Sequence, residues 1–464
     1  MPTLFSQGNF LILGAGVTGK SVGRVLKARG VDITLVDENL EKFEDFKIVK
    51  TSEVEISKYD ALVVSPGWRF DHNLIQAALN LNIPLLNEID IAWNLRSELA
   101  PNQRWVALTG TNGKTSTVEL TAAMLRAGGL SAVACGNVGD TVIDAVSTEK
   151  PFDILVLELS SFQLHWCKNV EFVASAILNI APDHIDWHRS FESYAQAKVS
   201  ILSHSQVAIL NAQDGEVVQR CNNWKGRKVF YSLETPSPGE IGLVEELLVD
   251  RAFVSDVSEA SMFAELTEVA PMLPHNVSNT MAAAGLALAV GVSHEDIRRA
   301  IVEFRPGKHR IELIAEHNSI RWINDSKATN PHAAKASLKA YESIIWIAGG
   351  LAKGAEMDNL ISDCSKNIKA AILIGSDRNL IEDAFNKFAP KIPLLRIDPE
   401  EGYKKDSETN LFMESIVRAA KDLATEGDVV LLAPACASMD QFLSYSDRGL
   451  RFSDAVKKEI SHGA

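Results

Sequence analysis

Residues 108–117 read LTGTNGKTST, a glycine–lysine turn that follows the strand-like RWVALTG and opens a helical pattern after Lys114. A strand, a glycine turn and a helix in that order make a phosphate cradle. Main-chain N–H groups and the helix N-terminus face the anion, and a lysine neutralises its outer charge. Leu108 stands where the strict G-x-x-x-x-G-K-[ST] pattern has its first glycine, which predicts a tighter loop. Thr115, directly after the lysine, is placed to reach Mg²⁺, and that metal wants a carboxylate from another strand end. Glu158 closes the apolar run DILVLE and meets the requirement. A triphosphate is therefore assigned to Gly110, Thr111, Asn112, Gly113, Lys114, Thr115 and Ser116.

A second loop competes for that ligand. GAGVTGKS, residues 14–21, matches both G-x-G-x-x-G and G-x-x-x-x-G-K-S. Asp37 ends DITLVD about 20 residues on, where a dinucleotide-type fold places an acid against a ribose or base. No acid-ended strand nearby suits magnesium, so this loop is read as a nucleotide-diphosphate loop and its Walker match as accidental. A glycine turn serving only strand–helix packing is the competing reading for each loop. Asp37 and Glu158 weigh against it.

Outward from these loops, short β-branched runs alternate with helical patterns, the mark of parallel α/β sheets. A helix is expected from about Thr18 to Arg29, and another from near Val277 through MAAAGLALAVG. Residues 232–272 lose the rhythm and read as a small β insertion or edge-strand region. Loops RSELAPNQ and FRPGKH suggest boundaries near 98 and 307, giving domains 1–98, 99–307 and 308–464; a length of 464 residues fits three. The net charge of −14 argues against a nucleic-acid binder. Five scattered cysteines without a C-x-x-C pair suit a reducing cytosol. The sequence shows neither a signal-like N-terminus nor an apolar run long enough for a bilayer, so no membrane partner and a cytoplasmic location are expected.

The segments GTNGKTS, ELSSFQL, NIAPDHIDWH, YAQAK, HNVSN, INDSKATNP, GGLAKG and APACASMDQF occur in that order along essentially the whole chain. Together they resemble the Mur ligases of peptidoglycan synthesis. DSKATN and SMDQF point to a member that adds D-glutamate, rather than alanine, a diamino acid or a dipeptide, and no DNPR segment is present. The resemblance implies an α/β chain of three domains: Rossmann-like for UDP, a central P-loop ATPase-type mixed sheet, and Rossmann-like for the amino acid. It further implies a monomeric, ATP-dependent amide ligase that joins D-glutamate to UDP-N-acetylmuramoyl-L-alanine through an acyl phosphate. The cofactors implied are ATP and two Mg²⁺, with Mn²⁺ able to substitute.

Site residues follow from the same likeness. Lys114, Glu158, His184 and Lys198 are implied catalytic residues, and Thr115, Glu158, His184 and Lys198 are implied on metal. The competing reading of His184 is a helix-start histidine satisfied by local backbone, but PDHIDWH holds two acids and two histidines in a short loop, which favours a site. Lys198 lies on the otherwise apolar stripe Phe191, Tyr194, Ala195, Leu202, so it either snorkels to solvent or is paired; the resemblance implies a carbamate on it. Asn276, Asn279, Arg310 and Asp325 resemble nucleotide contacts, although capping and a surface ion pair are their plain roles. Val17, Thr18, Asp37, Ser65 and Gly67 resemble the UDP end, and Asn137, Ser160 and Gln163 substrate contacts. Thr329, Lys353, Ser438, Met439 and Tyr445 resemble the D-glutamate site. Ala433, Met439 and Tyr445 depart from the usual residues there, and GGLAKG lacks an acid often found before its lysine. A nicotinamide-dependent oxidoreductase built on the first loop would leave GTNGKTS, Glu158 and Lys198 unused.

Overall fold

The computed structural model describes residues 5–461, apart from 41, 257, 306 and 408. It divides into two compact units: the chain up to Ile180 with Glu192–Phe304, and Ala181–Phe191 with the chain from Arg305 onward.

The first unit holds two sheets. One is formed by β1 (Asn9–Leu13), β2 (Asp32–Val36), β3 (Lys47–Val49), β4 (Ala61–Val64) and β5 (Leu85–Leu86), in the order β3-β2-β1-β4-β5. All its pairings are parallel. The strand order reverses between β1 and β4, and a doubly wound sheet binds ligands in the crevice beyond that point. The turns after these two strands are GAGVTG and SPG. The helix between β1 and β2 spans Val17–Ala28, with Arg29 as its C-cap, one residue earlier than the sequence suggests.

The other sheet has nine strands: β6 (Arg104–Thr109), β7 (Ala132–Gly136), β8 (Ile154–Glu158), β9 (Phe172–Ile177), β10 (Ser205–Asn211), β11 (Arg227–Tyr231), β12 (Ile241–Val244), β13 (Leu247–Asp250) and β14 (Ser261–Glu265). Its order is β14-β13-β12-β11-β10-β9-β6-β8-β7. The irregular 232–272 stretch supplies β12 to β14, which extend one edge, the last two antiparallel. The long helix begins at Pro274, three residues before the expected start, because a proline at the first helical position needs no N–H partner. Ala282, Ala283, Ala284, Ala287 and Gly285 are buried, so it lies close on β10: a Cβ on Gly285 would stand 2.9 Å from the Ile209 side chain.

The second unit carries β15 (Glu312–His317), β16 (Ile320–Asn324), β17 (Ile344–Gly349), β18 (Ile368–Ile374), β19 (Leu394–Arg396) and β20 (Val429–Leu432), ordered β15-β16-β20-β17-β18-β19. Only β15 runs antiparallel. Within β17, Ile344, Trp346 and Ala348 join one apolar cluster while Ile345 and Ile347 join another. Alternate side chains point to opposite faces, so both faces of this sheet are covered, and the strand reads as an unbroken apolar run. Among the described residues no helix is long and apolar enough to cross a membrane.

Helices stitch the first unit's two sheets together around a buried acid. Glu88, at the start of the helix Glu88–Leu99, is 3% exposed and accepts the Ile143 N–H at 2.8 Å. Close by, Asp144 accepts from Ser21 Oγ at 2.6 Å and from Thr141 Oγ1 at 2.7 Å. Burial pushes the Glu88 carboxyl up to about 7, with Asp144 adding to it against N–H donors from Ile143 and Val142. The folded chain thus holds this proton longer than the unfolded one. The associated stability is fully present below about pH 4.5 and is lost as pH rises through about 7. Chemical denaturation of parent and Glu88→Gln should show the parent losing about 3 kcal/mol relative to the variant between pH 4.5 and 8. A constant difference would contradict the buried carboxyl.

Candidate functional site

Strand β6 continues through Thr109, which makes Leu108 a fully buried core residue and leaves only Gly110–Gly113 to turn into the helix Lys114–Ala127. That is the physical reason for the missing glycine. The turn is clamped by Asn179: Thr111 N donates to its carbonyl at 3.0 Å, Asn112 N to its Oδ1 at 2.8 Å, and Asn179 Nδ2 donates back to Asn112 O at 3.1 Å. Gly113 has φ +83°, and a Cβ there would come within 2.5 Å of Asn279 Oδ1, so glycine is demanded twice over. Lys114 Nζ folds back to donate to Gly110 O (2.8 Å) and Thr111 O (2.9 Å). With the first-turn N–H groups of the helix beside it, the loop concentrates positive potential where a phosphate chain fits.

Register brings the acid to the loop, since Leu108 of β6 pairs with Glu158 of β8, one strand over. Glu158 is 2% exposed; its Oε1 accepts from Asn137 Nδ2 at 2.7 Å, while its buried Oε2 has no hydrogen-bond partner. Among the described residues no three or more His, Cys, Asp or Glu side chains gather into a metal cage. Magnesium does not need one: it keeps waters and binds through one or two carboxylates plus substrate phosphates. An orphaned carboxylate oxygen beside a Lys–Thr turn fits that donor set.

Lys198 does not snorkel. It is 2% exposed, donates to Gly110 O at 2.8 Å and Thr109 Oγ1 at 3.4 Å, and lies 4.8 Å from the Tyr194 ring centroid. Tyr194 OH in turn meets Thr111 Oγ1 at 2.9 Å. The helix Phe191–Val199 therefore braces the phosphate turn from beneath with two of its side chains.

At the β1/β4 crevice lies a cavity of about 810 Å³, walled by Gly14, Gly16, Ser65 and Gly67, and also by Trp68, Arg69 and His72. A Cβ on Gly19 would stand 1.9 Å from Gly14 O, which fixes the tight turn into the helix where Val17 and Thr18 sit. Lys20 is drawn 4.7 Å over the Phe43 ring. Asp37 is engaged by the main chain: Oδ2 accepts from Ala15 N (3.2 Å) and Oδ1 from Asn39 N (2.9 Å) and Leu40 N (3.0 Å). Burial alone would raise its pKa, but these N–H donors together hold it below the usual carboxylate value. Its visible work is to fasten two turns.

Other expected contacts also serve local structure. Ser160 caps the helix Ser161–Trp166 and forms a reciprocal box with Gln163. Asn276 Nδ2 donates to Pro271 O at 3.1 Å, whereas Asn279 lies against the phosphate turn. In the second unit, His184 sits at φ +53° before the short helix Ile185–His188, its N–H on Asp183 Oδ1 at 2.9 Å and its ring 3.7 Å from that carboxylate.

Three turns of the second unit leave the carboxyl ends of adjacent parallel strands, β16, β20 and β17. Leu351 and Ala437 exchange both main-chain hydrogen bonds at 2.9 Å, which joins the turn carrying Lys353 to that carrying Ser438. Gly350 permits this: a Cβ there would lie 2.1 Å from Ala437 O, and its φ is +135°. Ala435 N donates to Ala328 O at 2.9 Å, drawing in the turn with Thr329. Lys327 Nζ stands 3.8 Å over the Tyr445 ring. Burial raises Asp325 to about 6 against hydrogen bonds from Ser337 and Ile311 and the charge of Arg310. Ser438 is buried and Met439 exposed.

Comparison with known proteins bears on these turns. Residues 108–287 match the model of the Mur ligase middle domain and 309–436 that of the Mur ligase glutamate ligase domain. The UDP-N-acetylmuramoylalanine–D-glutamate ligase of Streptomyces coelicolor is 40% identical over 484 residues, covering 99% of each chain. This chain belongs to the Mur ligase family. The enzyme of the same name from Thermobifida fusca is 42% identical over 465 residues, 96% of this chain and 97% of that one. Among solved structures, MurF ligase from Thermotoga maritima in complex with ADP has a TM-score of 0.61 at 15% identity, covering 100% of both chains. A pseudomurein peptide ligase type C from Methanothermus fervidus has a TM-score of 0.61 at 18% identity, covering 97% of this chain and 100% of that one. The Mur ligase fold, with its three sheets, is shared across them.

Several contributors to this Mur ligase's candidate sites escape sequence reasoning. Asn179, Thr109, Lys327 and Arg448 act through hydrogen bonds or ring contacts to distant segments. The aromatic and basic residues in SPGWRFDHN, directly after the SPG turn, are the one local signal that would have found Trp68, Arg69 and His72.

Proposed function

We propose that this Mur ligase joins D-glutamate to UDP-N-acetylmuramoyl-L-alanine, driven by ATP, in cytoplasmic peptidoglycan precursor synthesis, and that it acts as a monomer. The observation that carries the reading is the Gly110–Gly113 turn with Lys114 at its head and the orphaned Glu158 oxygen beside it. The near-full-length likeness to D-glutamate ligases supports the amino acid. Residues 1–98 take the UDP end, 99–307 ATP, and 308–464 the amino acid.

A carboxylate oxygen of the L-alanine residue attacks the γ-phosphorus and ADP departs. The D-glutamate amine then attacks the acyl carbon, phosphate departs from the tetrahedral adduct, and the nitrogen gives up its proton. Lys114 exchanges two loop carbonyls for the β- and γ-phosphates, so its charge is already at the turn when the nucleotide binds. Bound magnesium, which Thr115 and Glu158 would hold, supplies the charge that lets a carboxylate approach a triphosphate. His184 and Lys198, the latter as a carbamate, keep the metal-directed roles that the family resemblance gives them. An unmodified amine in exact mass and density, with a bicarbonate-independent rate, would remove the carbamate. Arg310, Asp325, Asn276 and Asn279 are assigned to the nucleotide, and Asn137, Ser160 and Gln163 to the muramoyl-alanine end. Thr329, Lys353, Ser438, Met439 and Tyr445 are assigned to D-glutamate, where Lys353 meets a carboxylate.

Phosphate release with UDP-N-acetylmuramoyl-L-alanine, ATP and Mg²⁺ tests the reading, with D-glutamate compared against L-glutamate and L-lysine. Release that ignores D-glutamate would overturn it. In the first cavity, Arg69 is the cation on the wall, held 3.3 Å from Asp71. Arg69→Ala should raise KM for the UDP substrate about fivefold without moving that for ATP, and the effect should shrink as salt rises. Equal shifts in both KM values would count against Arg69 as a phosphate contact.

A further inference from the structure

Between β19 and the helix Leu411–Leu423, the described residues of the connecting stretch (397–407, 409 and 410) form neither helix nor strand. Irregular segments of this length in a compact fold usually have a job. This one is fastened down. The Arg451 guanidinium donates to the carbonyls of Thr409 (2.9 Å), Ser407 (2.8 Å) and Lys405 (3.3 Å) while its Nε pairs with Asp447, and Asn410 Nδ2 donates to Arg451 O at 2.7 Å.

From that anchored loop two side chains reach out. Tyr403 OH donates to Gln441 O at 2.8 Å, and Lys405 Nζ donates to Met439 O at 2.9 Å. Their targets belong to the turn after β20 that starts at Ser438, whose own carbonyl accepts from Gln441 N and Phe442 N. The ring of Tyr403 leans on Phe412 at 5.3 Å, and Phe412 stacks on the buried Phe442 at 5.9 Å. A cavity of about 420 Å³, bordered by Tyr403, Lys404, Thr409 and Phe412, lies along the loop. The loop therefore arches over space instead of packing as core, and its direct grip on the 438–442 turn comes from two directed hydrogen bonds, with Phe412 standing between the Tyr403 and Phe442 rings.

We propose that Tyr403 and Lys405 are positioning residues for the amino-acid pocket: they hold the main chain of Met439 and Gln441 so that the Ser438 turn keeps its place beside Lys353. The proposal rests on the assignment of D-glutamate to this turn. Each bond fixes a carbonyl, not a side chain, so it sets the path of the turn without touching substrate.

The test uses the full-length protein with Tyr403→Phe, Lys405→Met and the double variant, measuring kcat and the KM of all three substrates, with calorimetric Tm alongside. Removing only a hydroxyl or an ammonium leaves the packing in place. Each single variant should raise KM for D-glutamate about threefold and the double about tenfold, with the KM values for ATP and the UDP substrate within twofold of the parent. A lowered Tm with unchanged D-glutamate KM, or KM values that all move together, would overturn the proposal in favour of a merely structural strap. If the parent shows no D-glutamate-dependent phosphate release, the functional reading falls, and this inference with it; a parent that turns over normally isolates the failure to Tyr403 and Lys405.

Discussion

Glu158→Gln should lower turnover by at least about a hundredfold and leave the fold no less stable, within about 1 kcal/mol. The two halves of that expectation come from the two oxygens. Oε1 accepts from Asn137 Nδ2, and a glutamine oxygen can keep that bond. Oε2 is buried without a hydrogen-bond partner, a situation that burdens the folded state unless something else uses the charge. Glutamine removes the charge and with it the carboxylate proposed to hold magnesium. Steady-state kinetics across a magnesium titration, with denaturant unfolding in parallel, would check both. A variant that unfolds readily, or that regains full turnover at high magnesium, would show that Glu158 serves the fold or contributes only affinity for the metal.

The largest loss of stability is expected at Arg448. It is fully buried, donating to Ser326 Oγ and Ser326 O at 2.9 Å and to Cys436 O at 3.3 Å. Burial pulls its pKa down to about 10, so it remains charged at neutral pH. Its donors tie the turn after β16 to the turn after β20, the two turns that carry Thr329 and Ser438. Arg448→Ala leaves carbonyls without donors and opens a cavity, and should cost about 3 kcal/mol or more. Arg448→Met fills the space and deletes a buried charge, so its loss should be smaller, about 1–2 kcal/mol. Both variants should weaken D-glutamate more than ATP. Urea unfolding ranks them. Equal losses for alanine and methionine would mean that the lost donors, and not the cavity, dominate.

Legibility from sequence followed the range of the interactions. The alternation of apolar runs with helical patterns exposes the three sheets because central strands such as β4, β8, β17 and β20 are buried on both faces and must be continuously apolar. The Gly110–Gly113 turn between strand and helix is legible because its glycines, Lys114 and Thr115 lie within one contiguous segment, and Glu158 because a charge ending an apolar run stands out. Lys198 was ambiguous: snorkelling and pairing look alike until the Gly110 carbonyl is known to lie within reach. Asp37 stands out in the sequence as an acid at a strand end, but its main-chain N–H partners depend on how residues 15 and 39–40 curl, which no periodicity encodes. Arg448, Asn179 and Tyr403 were invisible because their partners are tens to more than a hundred residues away.

The reciprocal bonds between Leu351 and Ala437 bear on how the proposed amino-acid groove can change over time. Two turns from separate strands are locked in step there, with Gly350 unable to accept any side chain. Lengthening either one would drag the other out of line. Side-chain exchange on that outline, or insertions made in both turns together, would keep them in step, whereas a single-residue indel in one turn should break both bonds.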